Sequence, residues 1–500
     1  MEKTISLYLI SFLLVFPVFN FHTEAQQKPR TIVTTDGEVD DMDSFIRFLL
    51  YTNELDVEGL VYSSSMWHYK GDGKGTLFTS EMDMTKRMYG AKTDLRWCGT
   101  TWMQEMIDKY ASVYPSLVKH DPNYPTPEYL KSIIRVGNID FEGEMEKITE
   151  GSEFIKNSLL DDDDQPVYVQ IWGGTNTLAR ALKSIEEEYK GKLGWEDVYK
   201  KVSAKTFIYT ILDQDATYRK YIAPNWPEVR VVYNASQFWC FAYAWPRVEP
   251  ENLRKYLRGA WFSENIKFGH GPLMDNYFLW GDGQKIEGDT EHTHGNLEEA
   301  KKNGRDQYDF ISEGDSPSYL YLLNFGLQKF DDPTYGGLGG RFKQSAENPL
   351  RWEDGMDVTD FNPATNKQDP MYSQTRWFKV LQNDFATRAD WCVQNYENAN
   401  HPPLVEVDKN EISASAGDTV KLTSSASDPD EDELNYKWWN YKEAGTYPVE
   451  VTVSSPTSKA TEFTVPDDAI TGQTIHLILE VEDTGEPVLN RFQRIVIEIK

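Results

Sequence analysis

From residue 31 to about 232, short apolar runs alternate with longer stretches of helical spacing. Residues 31–35 (Thr-Ile-Val-Thr-Thr) predict a buried strand, and 42–50 (Met-Asp-Ser-Phe-Ile-Arg-Phe-Leu-Leu) predict the helix that follows it. Residues 57–63, 166–172, 206–212 and 229–233 predict four more strands, with a helix over 176–185. Continuous apolar strands separated by helices indicate an α/β fold, a mostly parallel sheet covered by helices on both faces. Ligands of such sheets bind beyond the carboxyl ends of the strands, so the chemistry is expected there.

The pattern changes twice more. Residues 240–400 are rich in Trp, Gly and Asp and read as long loops. After His401-Pro402-Pro403 the apolar positions alternate with period two over 419–423, 449–453, 474–481 and 494–499. Turn signals at 416–418 and 483–485 separate these runs, which predict an Ig-like β-sandwich joined by a Pro linker. At the other end, an apolar run over 5–19 is too short for a membrane span. Pro17 interrupts it, and Thr23 and Ala25 supply the small residues of a cleavage site. The expected organisation is therefore a signal peptide over 1–25, an α/β domain over 26–400 and a sandwich over 401–500. The expected location is secreted or periplasmic, with no membrane insertion.

Composition narrows the partners. Lys and Arg number 51 against 80 Asp and Glu, a formal charge of −29. That excess opposes nucleic-acid binding, which draws its affinity from cations meeting phosphates. Neutral small molecules, carbohydrates and metal cations stay open as ligands. Cys98, Cys240 and Cys392 allow one disulfide at most, so stability must come from the core.

The strongest chemical signal is Thr34-Thr35-Asp36-Gly37-Glu38-Val39-Asp40-Asp41, at the end of the first strand. Three Asp carboxylates within six residues repel one another unless a cation or protons neutralise them. A single helix cap would need only one of them. This segment resembles the calcium-binding signature of the inosine–uridine-preferring nucleoside hydrolases, Asp-Thr-Asp-Pro-Gly-x-Asp-Asp. Trp172-Gly173-Gly174-Thr175-Asn176 is similar to that family's Gly-Pro-Leu-Thr-Asn turn, and Glu313-Gly314-Asp315-Ser316-Pro317 to its His-Asp-Pro segment. The resemblance implies Ca²⁺ held by Asp36, Asp41, the Thr175 carbonyl and Asp315, with Asp40 contacting the sugar and the catalytic water. Departures accompany it: Thr34 replaces the first Asp, Gly37-Glu38 replaces Pro-Gly, and Gly314 stands where many members carry a leaving-group His. Over nearly its full length the chain resembles secreted bacterial proteins described as cellulose-binding. Those proteins join a nucleoside hydrolase-like domain to an Ig-like one.

Other residues complete the expectations. His270, in Gly269-His270-Gly271-Pro272, is the general-acid candidate. Asn176 and Asn234 stand as sugar contacts, and Trp67, Trp172 and Trp239 near strand ends as sugar platforms. His68 reads first as a packed or exposed histidine and second as one facing the pocket, His292 and His294 as a surface loop, and 428–432 as a solvated turn. The sequence thus supports a secreted Ca²⁺-dependent hydrolase of glycosidic or N-glycosidic bonds acting on a carbohydrate or nucleoside-like molecule. The alternative is a non-catalytic polysaccharide binder on the same scaffold. The resemblance is compatible with a homo-oligomer.

Overall fold

The computed structural model describes residues 27–289, 294–327 and 329–500. The expected signal peptide and His292 lie outside the described residues.

An eight-stranded sheet runs Ile134–Val136, Asp56–Tyr62, Arg30–Thr35, Val167–Ile171, Thr206–Ile211, Arg230–Asn234, Arg351–Glu353, Lys343–Gln344. Every neighbouring pair is parallel except the last, which is antiparallel. The five strands expected from apolar runs are all present. Successive residues of the first strand serve opposite faces. Ile32 packs with Leu178, Leu182 and Ile155 on one side, and Val33 with Phe45, Met103 and Leu381 on the other. Both faces are therefore buried under helices, which is why these strands read as unbroken apolar runs.

Chain order reverses at the first strand. The two strands to one side of it come next in sequence on that side, while Val167–Ile171 opens the other half of the sheet. The loops leaving these two neighbours are residues 36–38 and 172–175. In doubly wound sheets this crevice is the ligand site.

Beyond residue 240 the expected long loops contain short helical turns, the hairpin Asp360–Asn362/Lys367–Asp369 and the helix Phe378–Trp391. From Leu404 onward a three-stranded and a four-stranded sheet form a β-sandwich around Val420, Leu422, Trp438, Phe463, Leu477 and Ile497. Residues 449–453, expected as a strand, are irregular. The Val451 N–H donates to the Asn440 side chain rather than to a ladder (3.1 Å), and Val449 is exposed. Trp438 and Trp439 divide as strand neighbours should, the first in the sandwich core and the second half-buried outside it.

The sandwich is joined to the α/β unit through buried polar contacts. Arg494 donates to the Leu327 and Gly336 carbonyls (2.8 and 2.7 Å), and Tyr441 donates to Asp360 (2.7 Å). At the linker, His401 Nδ1 faces Asp430 (3.1 Å) and its Nε2 meets Nδ1 of His120 (2.9 Å). His120 ends the long helix Trp102–His120, and its Nε2 faces the Gln394 carbonyl (3.1 Å). The three cysteines are free thiols, so no disulfide forms. No helix among the described residues is long and apolar enough to cross a membrane.

Candidate functional site

The loop after the first strand can hug the site because Gly37 has φ +84°, and a Cβ there would lie 2.5 Å from Cys98 Sγ. The helix Val39–Leu49 starts immediately afterwards and carries Asp40 and Asp41 in its first turn, where its dipole favours negative charge. Asp315 arrives from the other side, at the start of the short helix Ser316–Leu320. Oxygens of Asp40, Asp41 and Asp315 lie within 4.8 Å of one another. Asp41 and Asp315 are buried; Asp40 keeps part of its surface open. Burial, and then mutual repulsion with Asp36 and the other acids, pushes the Asp40, Asp41 and Asp315 carboxyls well above the usual carboxylate range.

Asp36 sits beside this trio without joining it. Its N–H donates to Asp41 Oδ1 (3.2 Å), while its own Oδ2 is buried, has no hydrogen-bond partner and faces His68 Nδ1 at 3.7 Å. Burial raises its carboxyl, but His68, Ser65 and Asp41 together outweigh burial and hold it low. His68 is fully buried and lies near three carboxylates, Asp36, Glu38 and Asp289 (3.7–3.9 Å). Burial and Arg96 lower its imidazole, yet contact with Asp289 and Asp36 carries it up to about 9.

A second layer faces Asp40. Ser312 donates to Asp40 Oδ2 (3.3 Å), and the Tyr243 hydroxyl lies 3.5 Å from Asp40 Oδ1 and 3.1 Å from Glu38. Arg96 reaches Glu38 (3.5 Å) and grips Asp289 through Nε and Nη2 (3.1 and 3.0 Å) from a backbone held at φ +46°. Such a conformation costs energy in a non-glycine residue and is kept where surrounding contacts fix it. Arg96, Tyr243, Asp289 and Ser312 escape sequence reasoning because they come from separate loops with no shared period.

Several expected site residues are engaged elsewhere. The Thr175 carbonyl accepts the Ala179 N–H (2.9 Å) as the first bond of the helix Asn176–Tyr189, so it points along that helix. The Asn176 amide donates to Ser64 and the Asn138 carbonyl (both 2.9 Å), and its oxygen accepts from Thr177. Asn234 is buried, donating to Tyr209 and accepting from the Phe238 N–H (both 3.0 Å). His270 packs against Asp390 (3.3 Å), and the adjacent Gly271 lies over Val113 and Val393, away from the acid cluster. Trp172 is a core residue whose indole donates to Ser318 (2.8 Å). Trp67 is half-buried next to His68, and Trp239 is partly exposed against Phe238. The glycine at 314 has a local cause: a Cβ there would lie 2.8 Å from Asp40 Oδ2.

The trio is a set of hard oxygen donors, and an unpartnered buried carboxylate oxygen lies beside it. That chemistry fits a Ca²⁺-type ion. The carboxylates the structure brings together are Asp40, Asp41 and Asp315, with Asp36 alongside.

Residues 30–342 match the family described as Cellulose-binding Sde182, nucleoside hydrolase-like domain. Residues 419–499 match Cellulose-binding protein Sde0182, C-terminal domain. Among solved structures, a nucleoside hydrolase-related hypothetical protein from Saccharophagus degradans, described as associated with carbohydrate metabolism, is 26% identical. It superposes with a TM-score of 0.70 over 95% of this chain and 100% of its own. A plant nucleoside hydrolase is 10% identical with a TM-score of 0.33 over 72% of this chain and 99% of its own, too low to carry an argument. No curated protein sequence gives a match. With its α/β sheet, its acid-lined switch point and both parts of its length accounted for, the chain belongs to the cellulose-binding Sde182 family with a nucleoside hydrolase-like domain.

Proposed function

We propose that the protein is an exported Ca²⁺-dependent hydrolase of glycosidic or N-glycosidic bonds that serves polysaccharide use. The observation that carries this reading is the trio of Asp40, Asp41 and Asp315, gathered within 4.8 Å at the switch point of the sheet. When bound there, Ca²⁺ would supply a positive charge that neutralises the carboxylates and orients water and sugar hydroxyls. Asp40 is the partly open member, so it is assigned the proton of the attacking water. Ser312 and Tyr243 fix the two oxygens of Asp40 between them. The surrounding carboxylates stabilise an oxocarbenium-like transition state.

No side chain of this cluster is assigned proton donation to the leaving group; Tyr243 serves the two acids as a donor. Its hydroxyl touches both Glu38 and the Asp40 edge, and burial followed by the negative charge of Asp40 and Glu38 keeps it protonated. The test is hydrolysis of a panel of aryl glycosides and nucleosides with and without EDTA. Asp40→Asn should abolish turnover, and Ca²⁺ should restore chelated protein. Turnover indifferent to both rejects the assignment.

A second reading, carbohydrate binding without catalysis, is favoured by Gly314 and Asn234. The first leaves no side chain at the leaving-group position, and the second turns its amide to Tyr209. Glycan retention with no hydrolysis of any member of the panel would select it.

A further inference from the structure

A groove of about 530 Å³ lies where the α/β unit meets the sandwich, away from the acid cluster. Its volume falls in the usual range for small-ligand sites, roughly 300–1,000 Å³, which favour such junctions. Five rings line it, of which Trp377 and Phe492 are buried and three are more open. Phe361, on the hairpin after residue 360, is 44% exposed; Tyr372 comes from the helical turn Tyr372–Thr375; Trp439 comes from the sandwich strand Asn435–Asn440.

One cation fixes two of these rings across the junction. The Arg376 guanidinium lies 5.2 Å from the Tyr372 ring centre and 4.7 Å from that of Trp439, and it is ion-paired to Asp360 (2.9 Å). The backbone that carries the third ring is tied as well, because the Phe361 N–H donates to Glu443 of the sandwich (2.9 Å). Two of the rings are thus held in place before a ligand arrives, which lowers the ordering cost of binding.

The remaining lining sets the ligand class. With Arg376 already paired, Lys437 and Lys442 stand against Glu443, Glu450 and Glu480, and Lys437 pairs with Glu480 (3.5 Å). A groove with this near-balance and a slight negative excess gives no attraction to a polyanion. Its carboxylates, ammonium groups and the Gln368 and Asn440 amides suit hydroxyls as donors and acceptors. Flat rings beside such groups match the apolar faces and equatorial hydroxyls of a β-linked sugar chain.

We propose that this junction groove binds a neutral β-linked glucan segment, with Phe361, Tyr372 and Trp439 as stacking surfaces supplied by both parts of the chain. The proposal rests on the carbohydrate association of the family and places it outside the acid cluster.

The test uses the full chain with cellohexaose, followed by calorimetry, and retention on insoluble cellulose. Phe361→Ala and Tyr372→Ala should each weaken cellohexaose binding about tenfold, as loss of one stacking ring would. Both variants should keep the wild-type melting temperature and the wild-type response to Ca²⁺. Asp40→Asn should bind cellohexaose as wild type does, so failure of the hydrolase reading and failure of the groove are read separately. The proposal is overturned if the double variant binds within twofold of wild type or if wild type binds no glucan at millimolar concentration. It is equally overturned if Asp40→Asn loses binding instead, or if polygalacturonate binds as well as cellohexaose.

Discussion

Replacing Asp315 by Asn separates a cation site from a merely acidic loop, because the two readings predict opposite signs. With three carboxylate oxygens within 4.8 Å, each ionised pair repels by about 3–4 kcal/mol at an effective dielectric constant of about 20. Without a cation, protons relieve this, and burial first and this repulsion second hold Asp41 and Asp315 well above the usual carboxylate range. Asp315→Asn removes two of the three repulsive pairs. The EDTA-treated variant should therefore melt at or above the wild-type temperature. Ca²⁺ acts the other way. At 1 mM, an ion bound with a Kd near ~10 µM stabilises wild type by about 2.7 kcal/mol. At roughly 2 °C per kcal/mol for a domain this large, that is a shift of about 5 °C. Differential scanning calorimetry of both proteins at pH 7.5, in EDTA, Ca²⁺ and Mg²⁺, reads all of these quantities. Calorimetric titration in two buffers of different ionisation enthalpy should show protons released as Ca²⁺ binds, because the ion displaces them. A variant less stable than wild type in EDTA, together with an unchanged response to Ca²⁺, would refute the reasoning.

Three further outcomes follow from the same geometry. Gly314→His, which restores the residue many nucleoside hydrolases carry, should abolish the Ca²⁺ shift in calorimetry rather than create nucleosidase activity, because its Cβ would press on Asp40 Oδ2 at 2.8 Å. Arg47→Met should cost about 3–5 kcal/mol in urea unfolding, since it strands the buried Glu313 to which Arg47 donates (3.1 Å); adding Glu313→Gln should recover part of the loss. Glu142 is pushed by burial from an ordinary value of 4.5 up to about 7, so the folded protein binds its proton more tightly than the unfolded chain. Its contribution is complete at acid pH and lost as pH rises through about 7, so the urea midpoint should fall between pH 5.5 and 8, and Glu142→Gln should flatten that slope.

The parallel strands were legible because both of their faces are buried, so each appears as an apolar run bounded by polar residues. The three acids of the trio were legible for a related reason: two share one helical turn and the third opens a short helix with Ser-Pro. What the sequence hid was direction. Nothing in Thr175-Asn176 says that the carbonyl follows the helix or that the amide turns to Ser64. His270 looked available in a Gly-rich loop, yet its partner Asp390 lies 120 residues away in sequence. The Arg96–Asp289 grip joins segments 193 residues apart and leaves no local period to read. Residues 449–453 misled for the opposite reason, since alternation was present but the N–H that should have entered a ladder went to a side chain.

The two imidazoles at the linker carry a consequence in proton arithmetic. The chain Asp430–His401–His120–Gln394 ends in a carboxylate on one side and a carbonyl on the other, and both ends only accept. Three contacts therefore require three ring hydrogens, whereas two neutral imidazoles bring two. Full closure needs a third ring hydrogen, and burial, with Lys119 nearby, opposes it by holding the His120 imidazole below its ordinary value, while the Trp391 and Tyr396 rings stack on the pair. The seam between the sheet and the sandwich thus has one contact more than two neutral rings can fill, and nitrogen-15 shifts of the His120 and His401 rings would count the hydrogens they carry.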